Sequence, residues 1–228
     1  NVNSTLIPWA LKTGNMTLKP NSVVQSVLYD EVQQKAIGVR VIDSKTKKTN
    51  DYFAKVIFIT AATLNTNLIL LNSKSKRFPN GLGNDNGLMG KYIAFHNYRA
   101  TINAQCVGFP KNTIEGAKPT SHYVPRFRNV YRQETDFLRG YASGFGASPY
   151  RVTDRKGFGP PLKKQLLETK ETGVWNVNSH MMGETIPKES NQVTLVKEKV
   201  DSWGIPLLNI NVEYDENDEK MIQDFFEQ

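Results

Sequence analysis

The sequence predicts an α+β chain, and three observations carry that reading. An apolar run passes through small residues into a helical segment over 56–71; a ribbon of short strands with polar turns precedes it; six further strand-like segments with few helices follow. Each parallel strand would need a crossover of a dozen or more residues, so the later strands read as an antiparallel sheet. The expected organisation is a first lobe over 1–73, a crossing loop over 74–96, and a mostly antiparallel sheet domain over 97–228 that ends within a helix.

In the first lobe, residues 16–18, 23–29, 37–42 and 52–59 are strand-like, separated by Lys-Pro-Asn-Ser and by the polar stretches 30–35 and 43–50. Within 37–41 the apolar residues alternate with Gly38 and Arg40, so one face of that ribbon packs inward and the other is wet. Val56-Ile57-Phe58-Ile59 has no polar alternation and reads as a strand covered on both faces, followed by a tight turn and a helix over 65–72. A helix that starts just past the carboxyl end of such a strand offers backbone N–H groups to an anion, and a nucleotide phosphate suits it. An ordinary βα unit has the same pattern, so other residues must assign the chemistry.

The loop that follows is rich in Asn, Gly and Lys. Its Gly81-Leu82-Gly83 and Gly87 lack both a preceding strand and the GxGxxG spacing, so they read as a turn cluster. Strands are expected over 98–107, 121–127, 137–146, 174–186, 192–196 and 207–214. The helix 161–172 has proline in its first turn and stops at Gly173. The last helix is capped by Asp215 and carries one apolar stripe, Met221, Ile222, Phe225 and Phe226.

Composition narrows the function classes. The net charge of +7 is unevenly spread: from Glu184 onward eleven acids face four lysines, net −7, leaving +14 on the remainder. The basic residues cluster only at 45–48 and 74–77, with no RNP-like aromatic motif or helix-turn-helix beside them, so nucleic acid is not an expected partner. Cys106 is the only cysteine, which rules out an intrachain disulfide and a CxxC metal knuckle. No apolar run approaches the roughly 20 residues of a membrane span. A soluble protein is expected; the resemblance given below implies the bacterial cytoplasm or periplasm, with the compartment itself unread. The opening Asn-Val-Asn-Ser-Thr carries no initiator Met, so an excised piece of a longer protein is expected.

As a strand, 174–186 puts Asn176, Asn178, His180, Met182 and Glu184 on one face and Trp175, Val177, Ser179 and Met181 on the other. Two amides, an imidazole and a carboxylate in a row supply what a sugar or polyol needs, because each hydroxyl leaving water must find a donor or acceptor. A solvated sheet face shows the same alternation. Asn176, Asn178, His180 and Glu184 are therefore the candidate substrate-binding residues. His180 and Glu184 also have a helical metal-ligand spacing, but Gly183 and the strand-rich neighbours oppose a helix there. With His96, His122 and His180 the only histidines, no metal site is expected. There is neither a GxSxG turn nor a P-loop.

Read together, several passages resemble the glucose-methanol-choline family of FAD-dependent oxidoreductases. Asn15-Met16-Thr17-Leu18 through Val24, then Ala36-Ile37-Gly38-Val39-Arg40-Val41, is similar to the family's ribbon. Residues 56–73 resemble its second signature, a strand, an Ala/Gly turn and a Leu-rich helix, and Gly90-Lys91-Tyr92-Ile93-Ala94-Phe95-His96 loosely resembles a third motif. Residues 187–195 with Trp203-Gly204-Ile205-Pro206 are similar to a segment of the bacterial sugar and gluconate dehydrogenase branch. The resemblance implies FAD as cofactor and hydride transfer to flavin from the CH–OH group of a sugar or other alcohol. It implies that the backbone of Val24 touches the adenine, that Ala61, Ala62 and Thr63 lie beside the dinucleotide, and that the sheet from 97 roofs the substrate.

Departures accompany the likeness. Ala62 stands where the family often has Gly, Asn67 where Pro is usual, and Tyr92 and Phe95 replace the Asn and Asp of the third motif. The amino-terminal GxGxxG unit is absent, and the family's catalytic His and its His or Asn partner are expected beyond Gln228, so no catalytic residue is assigned within the chain. The fragment itself is expected to be inactive and not to retain FAD tightly, with the electron acceptor unread. The alternative is a self-standing sugar-binding or interaction module without cofactor. Apolar surface at 56–71 and at Phe225 and Phe226 is expected to drive self-association.

Overall fold

Short alternating runs separated by Asp-initiated turns build the first sheet: β1 (Ser22–Asp30), β2 (Lys35–Asp43) and β3 (Thr49–Phe53), antiparallel in that order. The Asp30 carboxylate accepts the N–H groups of Val32 and Gln33 at 2.8 Å, and that of Asp43 accepts those of Lys45 and Thr46 at 3.0 and 2.7 Å, so each turn is fixed by its first residue. Arg40 and Asp51 pair across β2 and β3 through two bonds of 2.9 Å.

This is a computed structural model that describes residues 2–108, 122–149, 157–168 and 174–228. The chain divides into two units, Asn1–Ile93 with Lys188–Val212, and Ala94–Pro187 with Glu213–Gln228.

The first unit opens with a helix the sequence reading missed, α1 (Leu6–Lys12), after a 3₁₀ turn. Residues 16–18, expected as a strand, join no ladder among the described residues, so the expected four-strand meander is three-stranded there. A larger correction concerns 56–59. This run is not a strand; Val56 is 68% and Phe58 85% exposed, while Ile57 and Ile59 are half-buried. A strand covered on both faces needs hydrogen-bonded neighbours, and among the described residues none lies beside this segment. The side-chain alternation remains, but the ladder that would make it a strand is missing. The helix that follows, α2 (Ala62–Asn72), begins three residues earlier than expected and buries Ile69 and Leu71. Ser73 ends it: its hydroxyl donates to Ile69 O at 2.6 Å and accepts the N–H of Val27 at 2.8 Å, tying helix to sheet in a buried position.

Two strands expected in the second lobe belong here. β9 (Gln192–Val200) and β10 (Pro206–Asn211) form a separate hairpin that packs against α2. Buried Val193 fixes the docking, its N–H donating to Gly90 O at 2.7 Å while Ile93 N–H donates to Asn191 O at 2.9 Å. A single boundary near 97 does not describe the two units, because the chain returns to the first one.

Among the described residues the second unit holds a five-stranded antiparallel sheet. β4 (His96–Asn97), β8 (Trp175–Glu184), β7 (Tyr141–Pro149) and β6 (His122–Val124) lie in that order, and β5 (Thr101–Cys106) also pairs with β8. The expected strand 98–107 is broken before Thr101, at buried Ala100, whose carbonyl accepts Met181 N–H at 3.0 Å. Phe137, expected at the start of a strand, is buried in the loop before β7. Helix α3 (Pro160–Glu168) starts at its proline; the expected continuation over 169–172 lies outside the described residues, as does Ser121. Helix α4 (Glu216–Glu227) has the expected cap, Asp215 accepting from Asp218 N–H while the Asp218 side chain accepts from Asp215 N–H. Met221 and Phe225 join Ala100, Phe137, Tyr141 and Met181 in the core, with Ile222 packed against it. Phe226 is 54% exposed, so the buried stripe is narrower than the sequence suggested. Among the described residues no helix is long and apolar enough to cross a membrane.

Candidate functional site

Strand β8 carries the site. Asn178 and His180 are exposed while Ser179 between them and Met181 after them are buried, so the alternation expected from sequence is realised over this stretch. Directly opposed residues of antiparallel strands share a face. The register therefore adds Thr101 beside His180, Asn103 beside Asn178 and Gln105 beside Asn176 on the β5 side. Gln105 Nε2 donates to Asn176 Oδ1 at 3.2 Å, tying the two amides together.

The β7 side is cut away. Gly144 lies opposite His180 and Gly146 opposite Asn178. A Cβ at Gly144 would collide with the His180 imidazole, and one at Gly146 would stand 2.9 Å from Asn178 Oδ1. The two glycines let the imidazole and amide lie flat across β7, leaving a shallow polar shelf. Beside it the rings of His96 and Tyr98 meet edge to face at 5.7 Å, and Tyr98 lies 6.0 Å from His180 at a tilt of 36°. Tyr98 is 49% exposed, an apolar ring framed by two imidazoles.

Glu184 stands apart from the other three candidates. Arg139 donates to one of its oxygens at 3.2 Å and Arg126 to the other at 3.5 Å, and Arg126 is itself held by the carbonyls of Arg128 and Asn129 at 3.1 and 2.7 Å. The carboxylate is engaged by cations, so this end of the shelf presents guanidinium as well as carboxylate to a ligand. The structure thus brings Asn176, Asn178 and His180 together and joins Glu184 to an arginine pair. Sequence reading missed Tyr98, His96, Thr101, Asn103, Gln105 and the two glycines. The signals were there: Thr-x-Asn-x-Gln at 101–105 and Gly-Phe-Gly at 144–146 have the period of two of a strand.

The residues proposed for a dinucleotide lie in the first unit, on two elements. Val24 sits at a bulge of the edge strand β1, where the register shifts between Val24 and Ser26. Ala61 is the N-cap of α2 and makes no side-chain capping bond, so the first-turn N–H groups receive no cap from that residue. Ala62 has φ +57°, the left-handed region that disfavours a Cβ by about 1 kcal/mol. Thr63 follows it, exposed. An uncapped helix start behind a left-handed turn is a donor set that fits a phosphate oxygen. Among the described residues no group of three or more His, Cys, Asp or Glu is gathered to hold a metal ion.

No protein-family model matches the chain. It is similar to the 2-methyl-1,2-propanediol dehydrogenase of Mycolicibacterium austroafricanum, 31% identical over 198 residues, the alignment covering 81% of this chain and 34% of that protein. The chain spans about a third of the length of this curated relative.

Proposed function

We propose that the chain is part of an FAD-dependent oxidoreductase of the glucose-methanol-choline family, acting on the CH–OH group of a polyhydroxylated alcohol, a sugar or a vicinal diol. The observation that carries this reading is the shelf on β8, where amides from two strands, an imidazole and an exposed tyrosine ring converge over two glycines. Each amide both donates and accepts, so Asn176, Asn178 and Asn103 can meet hydroxyls of either sense, while the Tyr98 ring covers a C–H face. The relative's name, a dehydrogenase of a 1,2-diol, supports an alcohol as substrate.

A flavin bound to the whole protein would supply the hydride acceptor. The residues of this chain bind and orient. The N–H groups at Ala61, Ala62 and Thr63 would receive the pyrophosphate and the backbone of Val24 the adenine. Asn176, Asn178 and His180 fix the alcohol's hydroxyls, and Tyr98 displaces water from its carbon face. No residue here is assigned as the base that removes the hydroxyl proton, and the electron acceptor is left open. The isolated chain holds part of the cofactor wall, so it is expected neither to retain flavin nor to oxidise alcohols.

The test is to purify the product of the longest reading frame that contains this chain and mix it anaerobically with sugars and vicinal diols. Bleaching of the visible flavin absorbance is expected. A colourless protein that binds sugars would favour a cofactor-free binding module instead.

A further inference from the structure

The amides on which the reading above rests run along β8. A second row crosses them. Tyr123, on the edge strand β6, lies opposite Gly144, and Gly144 lies opposite His180. Directly opposed residues share a face, so Tyr123 belongs to the shelf side of the sheet while His122 and Val124 belong to the other. Tyr123 leaves 69% of its surface in water.

His180 forms the middle of the crossing row. Gly144 has no Cβ, and the imidazole takes the space above it, which brings that ring toward β6. Tyr98, directly after β4, stands on the far flank of β8 with its ring 6.0 Å from the imidazole. Strands β8 and β6 are two strand spacings apart, about 10 Å. The imidazole is thus a floor with an exposed phenol ring at each end, and the row Tyr98, His180, Tyr123 lies at right angles to the row of amides.

We propose that Tyr98 and Tyr123 bracket a ring-shaped polyol, a sugar ring or a cyclitol, laid over the His180 imidazole, and that Tyr123 makes the shelf discriminate rings from open chains. This deepens the reading above and rests on its placing of the alcohol at the shelf. An open-chain polyol is narrow and follows the amides along β8, where its hydroxyls meet Asn176 and Asn178. It gains little from a wall two strands away. A ring has breadth as well as length, so it spans the crossing row, with hydroxyls on the amides and carbon against the phenol rings. Tyrosine suits such a wall because its ring is large, rigid and loses little freedom on contact.

Saturation-transfer NMR on the product of the longest reading frame that contains this chain measures binding whether or not a flavin is bleached. The probes are myo-inositol, methyl β-D-glucopyranoside and D-glucitol, the last an open chain with as many hydroxyls as myo-inositol. Tyr123→Ala should weaken the cyclic probes about fivefold and D-glucitol less than about twofold. Tyr123→Phe should leave all three within about twofold, because the contact is made by the ring and not by its hydroxyl. Tyr123 is exposed on an edge strand, so both variants keep the fold. Binding of one cyclic probe without the other, with the same response to Tyr123→Ala, supports the bracket and tells sugar from cyclitol. Unchanged affinity of the cyclic probes in Tyr123→Ala, an equal loss for D-glucitol, the same loss in Tyr123→Phe, or no saturable binding of either ring would overturn the proposal. A colourless protein with the expected pattern would leave the bracket standing and remove only the flavin; flavin bleaching by alcohols without that pattern would do the reverse.

Discussion

Tyr141 is fully buried and donates its hydroxyl to Asp224, the carboxylate that Arg128 grips through bonds of 2.9 and 3.0 Å. Burial, then the neighbouring carboxylate, pushes the phenol well above its ordinary range, so it stays protonated and donates at every physiological pH. Tyr141→Phe should lower stability by about 0.5–1.5 kcal/mol, whereas Asp224→Ala, which strands both a guanidinium and a hydroxyl, should cost about 1–3 kcal/mol; urea midpoints check the order. No local pattern announces this triad, because Arg128 and Asp224 are 96 positions apart. The turn aspartates were legible, and they carry a pH dependence. The N–H of Thr46 holds Asp43 below the usual carboxylate range, and that of Gln33 does the same for Asp30. A depressed folded value stabilises above the unfolded pKa of about 4 and is lost as pH falls through the folded one. Unfolding midpoints should therefore drop on acidification below about pH 5, and Asp43→Ala should flatten that drop. An unchanged slope would remove the turn from the account.

Strand β8 was readable as an element because its two faces differ at every step, and the structure keeps that alternation from Asn178 to Met181. What the period could not convey was the neighbouring strands: which residues lie beside His180 depends on register, which is set by distant pairing. Gly144 shows the consequence. A Cβ there meets the far end of a side chain and no backbone, so Gly144→Ala should change stability by less than about 1 kcal/mol while displacing the His180 ring. The His180 imidazole NMR signals should shift in this variant, and an unmoved ring would contradict the shelf geometry. Helix α4 was legible for a different reason. Its cap, Asp215 with Asp218 three residues on, is written locally, and Met221 and Phe225 are one helical turn apart. The failure at 56–59 has the converse cause: an apolar run tells that a strand wants cover on both sides, and nothing in it tells whether a partner is at hand.

Across the whole molecule, the α+β class was legible while the division into units was not. Residues 188–212 return to the first unit because Val193 meets Gly90 and because β9 and β10 pack against α2, contacts that join segments about a hundred positions apart. The bare side chains of Val56 and Phe58 carry a prediction at this scale. Exposed apolar residues alternating with half-buried Ile57 and Ile59 form an open edge for a partner, so the chain should self-associate as its concentration rises. The double variant Val56→Lys, Phe58→Lys should shift sedimentation toward monomer, and equal association in that variant would place the contact elsewhere. The central claim is that the β8 shelf is where the alcohol lies. It is tested most directly by the alcohol concentration that half-saturates flavin reduction in the protein carrying this chain, with and without Asn178→Ala, His180→Ala. We predict a rise of tenfold or more, about 1.4 kcal/mol, with the flavin spectrum before substrate unchanged. Saturation at the same concentration in both proteins would contradict it.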